Sequence, residues 1–263
     1  NSSPQLMARC ADFLVSNKQY GKAIELYVMA RKFYNAIEIC VQHKIPLTDD
    51  IVAQLTPQEK DVPDAAERRE ILKQVGKLLK KQGMFVQASQ KFTQAGDRVQ
   101  AVRCLVKHGD NKLVIQFANI SRNKEIYILA ANYLQQMQWR EDMEVMKHIL
   151  LFYNKAKAYV QLANFYEHCA TVEIDDYQDY AKAVGAYGEA AKHLQKLLDD
   201  PSQPPSEAQM AAQLLRTYEE RVRRIQQFLE ARRGLQRDAA ASVAALEALL
   251  DERNVEEAVR QGD

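Results

Sequence analysis

The chain has 263 residues, 47% of them hydrophobic, and 36 basic against 35 acidic residues give a formal charge of +1. That balance excludes a global electrostatic pull toward nucleic acid or an anionic membrane. The longest apolar stretches are too short to span a bilayer. Only nine glycines and seven prolines occur, and no run alternates with strand periodicity, so the expected class is all-α. Cys10, Cys40, Cys104 and Cys169 are widely spaced within apolar helical patterns. They read as free, buried thiols of a reducing compartment rather than a disulfide framework. Starting at Asn1 without Met and stopping at Asp263 after a helical run, the chain reads as a piece of a longer protein.

In chain order, helices are read over 4–17 and 20–31, then over 33–44 with Ala36, Ile37 and Cys40 inward. Pro46 stops that helix, and Thr48, Asp49 and Asp50 offer caps for a short one ending near Leu55. Thr56-Pro57-Gln58-Glu59 has capping-box spacing, but the polar stretch 56–64 reads as a loop with a single turn at most. A second unit opens near Ala65, with Leu72, Val75, Gly76 and Leu79 inward, and Gly83 ends its first helix. Further helices are read over 111–120, 124–137, 139–154 and 155–170. The acidic segment Glu173-Ile174-Asp175-Asp176 leads into a long helix over 177–198. Residues 199–205 hold three prolines and form the clearest linker. Ser206-Glu207-Ala208-Gln209 is a second capping box, opening a helix with Leu214, Tyr218, Val222, Ile225 and Phe228 or Leu229 inward. Gly234 ends it, an Ala-rich helix covers 238–250, and a partial one starts near Val255. The expected organisation is helical repeats over 1–198, the linker 199–205, and continuing repeats over 206–263, truncated at the C-terminus.

One spaced pattern occurs three times: Tyr20-Ala23-Tyr27-Ala30, Phe85-Ala88-Phe92-Ala95 and Tyr180-Ala183-Tyr187-Ala190. Steps of three, four and three keep the four residues on one helical stripe. Small Ala side chains let a neighbouring helix approach, and the aromatics fill the flanking space. The second copy follows the first by 65 residues, and the same offset carries Ala36 to Ala101, Ile37 to Val102 and His43 to His108. That spacing is close to twice the ~34-residue tetratricopeptide period.

Each stripe resembles the second helix of a tetratricopeptide repeat, Tyr20-Gly21-Lys22-Ala23-Ile24-Glu25-Leu26-Tyr27 most closely. The first helices lack the motif's Trp, the closing Pro is missing, and only Gly76, with Ala11 as a substitute, matches the motif's small residue. The resemblance implies a right-handed α-solenoid of divergent tetratricopeptide-like helix pairs. Three segments resemble, in order, the C-terminal repeat half of the large subunits of intraflagellar transport complex A. They are Lys91-Phe92-Thr93-Gln94-Ala95-Gly96-Asp97, the stretch from Lys124 to Leu134 (KEIYILAANYL), and the stretch from Asn164 to Asp175 (NFYEHCATVEID). This resemblance is strongest over 123–192. It implies a structural subunit of the retrograde ciliary transport complex, which also brings membrane receptors into cilia. It further implies N-terminal WD40 propellers outside this stretch.

Candidate sites are few. Cys40 with His43, and Cys104 with His108, place two ligand types on one face. Structural zinc needs four converging ligands, so these are read as core Cys and partly exposed His. Glu173, Asp175, Asp176 and Asp179 form the densest acidic cluster. They are read first as caps favouring the positive end of the following helix dipole, with a partner-binding loop as the functional alternative. Their spacing does not fit an EF-hand. Arg216, Arg221, Arg223, Arg224, Arg232, Arg233 and Arg237 make the most basic helix, a solvated face or an interface to an acidic partner. Trp139-Arg140, at a helix junction, is read as a wedge before an interface. The candidate partner-binding residues are thus Asp175, Asp176, Asp179, Trp139, Arg140, Arg223 and Arg224.

No phosphate loop, nucleophile elbow or His-Glu-x-x-His occurs. The expectation is a non-enzymatic scaffold with no cofactor, metal or catalytic residue. By the resemblance, it belongs to a hetero-oligomer with the other large subunits of complex A and with cargo adaptor proteins. No nucleic-acid binding and no membrane insertion are expected. The implied location is the cilium or flagellum, the basal body and the cytoplasm. The alternative is a generic tetratricopeptide module binding short peptide tails of a client or chaperone. A repeated Lys/Asn set on successive first helices, which that alternative needs, is missing.

Overall fold

The 65-residue offset of the sequence reappears in the backbone. In the computed structural model, residues 3–235 and 238–261 are described, with side chains as far as Leu250. α1 (Pro4–Ser16), α2 (Tyr20–Met29) and α3 (Phe33–Gln42) recur as α5 (Ala65–Lys81), α6 (Phe85–Gln94) and α7 (Arg98–His108). Between them lies a short α4 (Asp49–Gln54). Then follow α8 (Asn111–Ser121), α9 (Lys124–Leu134), α10 (Met143–Lys155), α11 (Tyr159–Asp175), α12 (Tyr180–Leu198), α13 (Pro205–Gly234) and α14 (Ala239–Gln261). Among the described residues there is no strand. The fold class is an all-α solenoid of divergent tetratricopeptide-like helix pairs. Two compact units divide the chain, residues 1–152 and 153–263.

The turns repeat as faithfully as the helices. Lys18, Arg31 and Lys44 adopt left-handed backbone at φ 58°, 59° and 50°, and the residues 65 positions on are Gly83, Gly96 and Gly109 at 79°, 80° and 87°. After α1, the Lys18 and Gln19 N–H groups donate to the Val15 and Leu14 carbonyls, both at 2.9 Å. After α5, Gly83 and Met84 do the same to Lys80 and Leu79 at 3.3 and 3.0 Å. This reversal satisfies the orphan carbonyls at a helix end. A side chain there costs about 1 kcal/mol, which glycine avoids. Arg31→Gly should therefore raise stability by up to about 0.5 kcal/mol, net of the added unfolded-state entropy. Gly96→Arg should lower it comparably. Urea denaturation midpoints of the two variants should move in opposite directions.

Within the first unit, Ala23, Ala88, Tyr27 and Phe92 of the stripes are buried with Ala11, Val75 and Leu79. The small residue of α5 has a specific use. A Cβ on Gly76 would lie 3.1 Å from the Phe92 ring, so the missing side chain is the seat of that aromatic. In the second unit, Ala183, Tyr187 and Ala190 pack with Leu194, Ala211 and Tyr218. Ala30 and Ala95 are buried, while the leading aromatics Tyr20, Phe85 and Tyr180 are half-buried. Ala88 and Ala183 are fully enclosed. Replacing either with Leu should overpack its helix pair and cost about 1–3 kcal/mol. Thermal melting of both variants checks this, and wild-type melting would show that the stripe is no interface.

Helix ends differ from the sequence reading at several points. α10 begins at Met143, not at Trp139, because the Asp142 carboxylate accepts the Glu144 and Val145 N–H groups at 2.9 and 3.2 Å. α9 ends at Leu134, and Trp139 lies in the turn between them. α11 begins at Tyr159 rather than Lys155, after Lys157 turns left-handed at φ 53°. α13 opens on Pro205 with no side-chain cap, so the Ser206 capping box does not form. The Ala-rich and final helices are one, α14. Gly234 permits its close approach, since a Cβ there would lie 2.7 Å from Ser242 Oγ. Residues 199–204 are drawn into a turn by Asp200, which accepts from the Ser202 N–H at 3.0 Å and hydroxyl at 2.6 Å, and Pro205 already belongs to α13. Cys10 is exposed, against expectation, whereas Cys40, Cys104 and Cys169 are buried. α1 fully buries Ala11 alone, and Cys10 is left on its outer face.

Candidate functional site

The acidic segment is the first candidate, and its place on the helices is the reverse of the one its sequence suggests. Glu173 and Asp175 lie in the last turn of α11, and Asp176 is its C-cap. A helix dipole is negative at that end, so these carboxylates gain nothing from it. Gln178, left-handed at φ 53°, makes the turn that separates them from α12. Only Asp179 caps: its carboxylate accepts the Lys182 N–H at 3.0 Å and meets the Lys182 ammonium at 3.1 Å. Those two contacts hold Asp179 below the usual carboxylate range. Asp175 and Asp176 are exposed, beside the exposed ring of Tyr177.

Trp139 is 6% exposed, which fits a wedge, and leaves the exposed Arg140 as the accessible member of that pair. The Arg140 guanidinium sits 5.8 Å from the Trp139 ring centroid. On α13, Glu220 gathers both Arg223 at 2.8 Å and Arg224 at 3.3 Å. Arg216, Arg223, Arg232 and Arg233 are exposed. Arg237 lies outside the described residues. Arg224 also borders an apolar cleft of about 460 Å³ with Ile225, Phe228, Leu246 and Tyr180, whose ring is 4.8 Å from that of Phe228.

Arg221 does not belong to the solvated face. It pairs with Glu167 of α11, lies 3.2 Å from the Tyr187 hydroxyl and stacks 5.8 Å from the Tyr187 ring centroid. The Tyr218 hydroxyl donates to the same Glu167 carboxylate at 2.9 Å. Burial, then that hydrogen bond, hold the Tyr218 hydroxyl well above its usual range, so it remains a donor. This network ties α11, α12 and α13 together, and the sequence reading does not contain it. Its signal was there: Asn164 with Glu167, and Tyr218 with Arg221, are polar pairs three residues apart on otherwise inward stripes.

The thiol–imidazole pairs hold their cysteines inside. Burial pushes Cys40 up to about 11 and raises Cys104 as well. Metal binding requires the thiolate, which burial disfavours here. His43 stacks on Tyr20 with centroids 4.3 Å apart. Among the described residues no cluster of three or more metal-ligand side chains converges. Among them, too, no helix is long and apolar enough to cross a membrane.

A buried imidazole gives the second unit a pH response. His193 stacks against both Tyr159 and Tyr166, at 5.9 Å each, and its Nδ1 is buried without a partner. Burial first, then Lys196 and Lys192 against the opposing Glu189, lower its pKa. The unfolded chain takes up this proton near the ordinary value of about 6.5, before the folded chain does. Stability is therefore full above that pH and lost as pH falls below it. His193→Phe should flatten this slope, as read from denaturation midpoints across the window; an unchanged slope would contradict it.

Stacked helix pairs with a buried Ala–aromatic stripe define a tetratricopeptide-type scaffold domain. Residues 1–152 match the family model for the tetratricopeptide-repeat domain of intraflagellar transport proteins 140 and 172. Residues 161–263 match the model for the C-terminal tetratricopeptide-repeat domain of intraflagellar transport protein 140. The break between the two matches falls at the boundary between the two compact units. The chain belongs to the tetratricopeptide-repeat region of the intraflagellar transport protein 140 family, and is an intraflagellar-transport-type repeat scaffold.

Proposed function

We propose that this chain is a non-catalytic segment of an intraflagellar transport complex A subunit. It joins the other large subunits for retrograde transport and for import of membrane proteins into cilia, with cargo adaptor proteins as further partners. The supporting observation is that both compact units match repeat domains of the intraflagellar transport protein 140 type. Asp175, Asp176 and Asp179, with Arg140, Arg223 and Arg224, are the proposed contacts, and Trp139 supports Arg140 from below. The ciliary and basal-body location follows from the same reading.

Asp175→Lys with Asp176→Lys is the test. Cations at the C-terminal end of α11 suit its dipole and should leave folding intact or strengthen it by about 0.3–1 kcal/mol. Loss of co-purification with partner subunits is the expected result. Retention of every partner at wild-type level would remove this segment from the interface.

A further inference from the structure

Four lysines surround a cleft of about 450 Å³ in the first unit: Lys77, Lys80 and Lys81 from α5, and Lys107 from α7. Its apolar part is Ile37 and Val41 of α3 with Leu78 of α5. Lys77, Lys81 and Lys107 are exposed, Lys80 is half-buried, and Val41 keeps 44% of its surface open. None of the four lysines is paired with a carboxylate of the described residues. Glu70, on the same face of α5, is taken up by Gln74 at 2.8 Å and by Lys73 at 3.9 Å. Glu38, beside Ile37, accepts from Gln42 at 2.9 Å.

The repeat shows that the fold does not require these cations. The residues 65 positions earlier are Asp12, Val15, Ser16 and Gln42. Asp12 accepts the Tyr27 hydroxyl. In the second copy Phe92 replaces Tyr27 and has no hydroxyl, and Lys77 stands at the Asp12 position. Lysines in a last helical turn complement the dipole, which gives Lys80, Lys81 and Lys107 a local role. It does not account for Lys77, nor for convergence around the exposed Val41, with Ile37 and Leu78 buried beneath it.

We propose that this cleft docks an acidic segment of a partner protein, an internal stretch in which an apolar side chain sits between carboxylates. The carboxylates pair with the lysines, and the apolar side chain seats on Val41. Charge complementarity sets the partner's sign, and a recessed floor suits a peptide better than the flat face of a bilayer. This surface is separate from the acidic end of α11 and stands independently of the scaffold reading.

The test uses the whole chain and a labelled peptide of leucines flanked by glutamates and aspartates, blocked at both ends, read by fluorescence anisotropy. Lys77→Glu, Lys81→Glu and Lys107→Glu together should weaken binding at least about tenfold, and Val41→Ser should weaken it by about threefold. Lys196→Glu, at an exposed lysine of α12, should leave it unchanged. The matching Lys→Gln set serves if the charge-reversed variant does not fold. Absence of binding, or binding indifferent to the lysines, overturns the proposal. So does polyglutamate bound as tightly as the leucine peptide. Tighter binding to phosphatidylserine vesicles through the same lysines would reassign the cleft to a membrane.

Discussion

Phe92→Ala should lower the unfolding free energy by about 3–5 kcal/mol. The ring is 2% exposed and rests on Gly76, which has no side chain that could swing into the space left behind. Ala88, one turn away on the same stripe, is equally unable to fill it. The cost is thus the lost transfer of an aromatic ring plus a cavity with no means of collapse. Thermal melting should drop by several degrees in a chain of this size. A midpoint within error of wild type would mean that the stripe does not hold α5 against α6.

Glu167→Ala should cost about 1.5–3 kcal/mol, which is much more than any ion pair on the same helix. It removes the acceptor shared by the Tyr218 hydroxyl and the Arg221 guanidinium. Tyr218 is fully buried, so its hydroxyl is left with only the long contact to Asn164 Oδ1 at 3.4 Å. Side-chain exposures of 29% for Glu167 and 41% for Arg221 keep the figure below that of a sealed pair. Arg223→Ala, at an exposed pair with Glu220, should cost under about 1 kcal/mol. A double-mutant cycle of Glu167→Ala with Arg221→Ala should show a coupling that the exposed pair lacks. Independent, additive losses would contradict the network.

The first unit was legible in the sequence because its punctuation is made of recognisable residues. Gly83, Gly96 and Gly109 mark left-handed turns, and the 65-residue offset transfers those turns to Lys18, Arg31 and Lys44. Further on, the same backbone turns are made by Lys157 and Gln178, residue types that give no signal of them. The sequence therefore puts the start of α11 too early and reads Asp175 and Asp176 as preceding α12, whereas they close α11. The α10 start shifted for a related reason: Asp142 outcompetes Trp139 as a helix start because its carboxylate can take two N–H groups. Burial along the stripes followed from helical period alone. The Glu167 network and the lysine cleft did not, because each joins side chains from helices far apart in sequence, and pairing across helices has no period to read.

Cross-linking of the intact complex with an amine-reactive reagent tests the central claim most directly. Lys124, Lys182 and Lys192 are exposed within 123–192, where the family resemblance is strongest. The scaffold account predicts cross-links from these lysines to other large subunits. Cross-links confined to this chain, in a complex otherwise fully assembled, would contradict it.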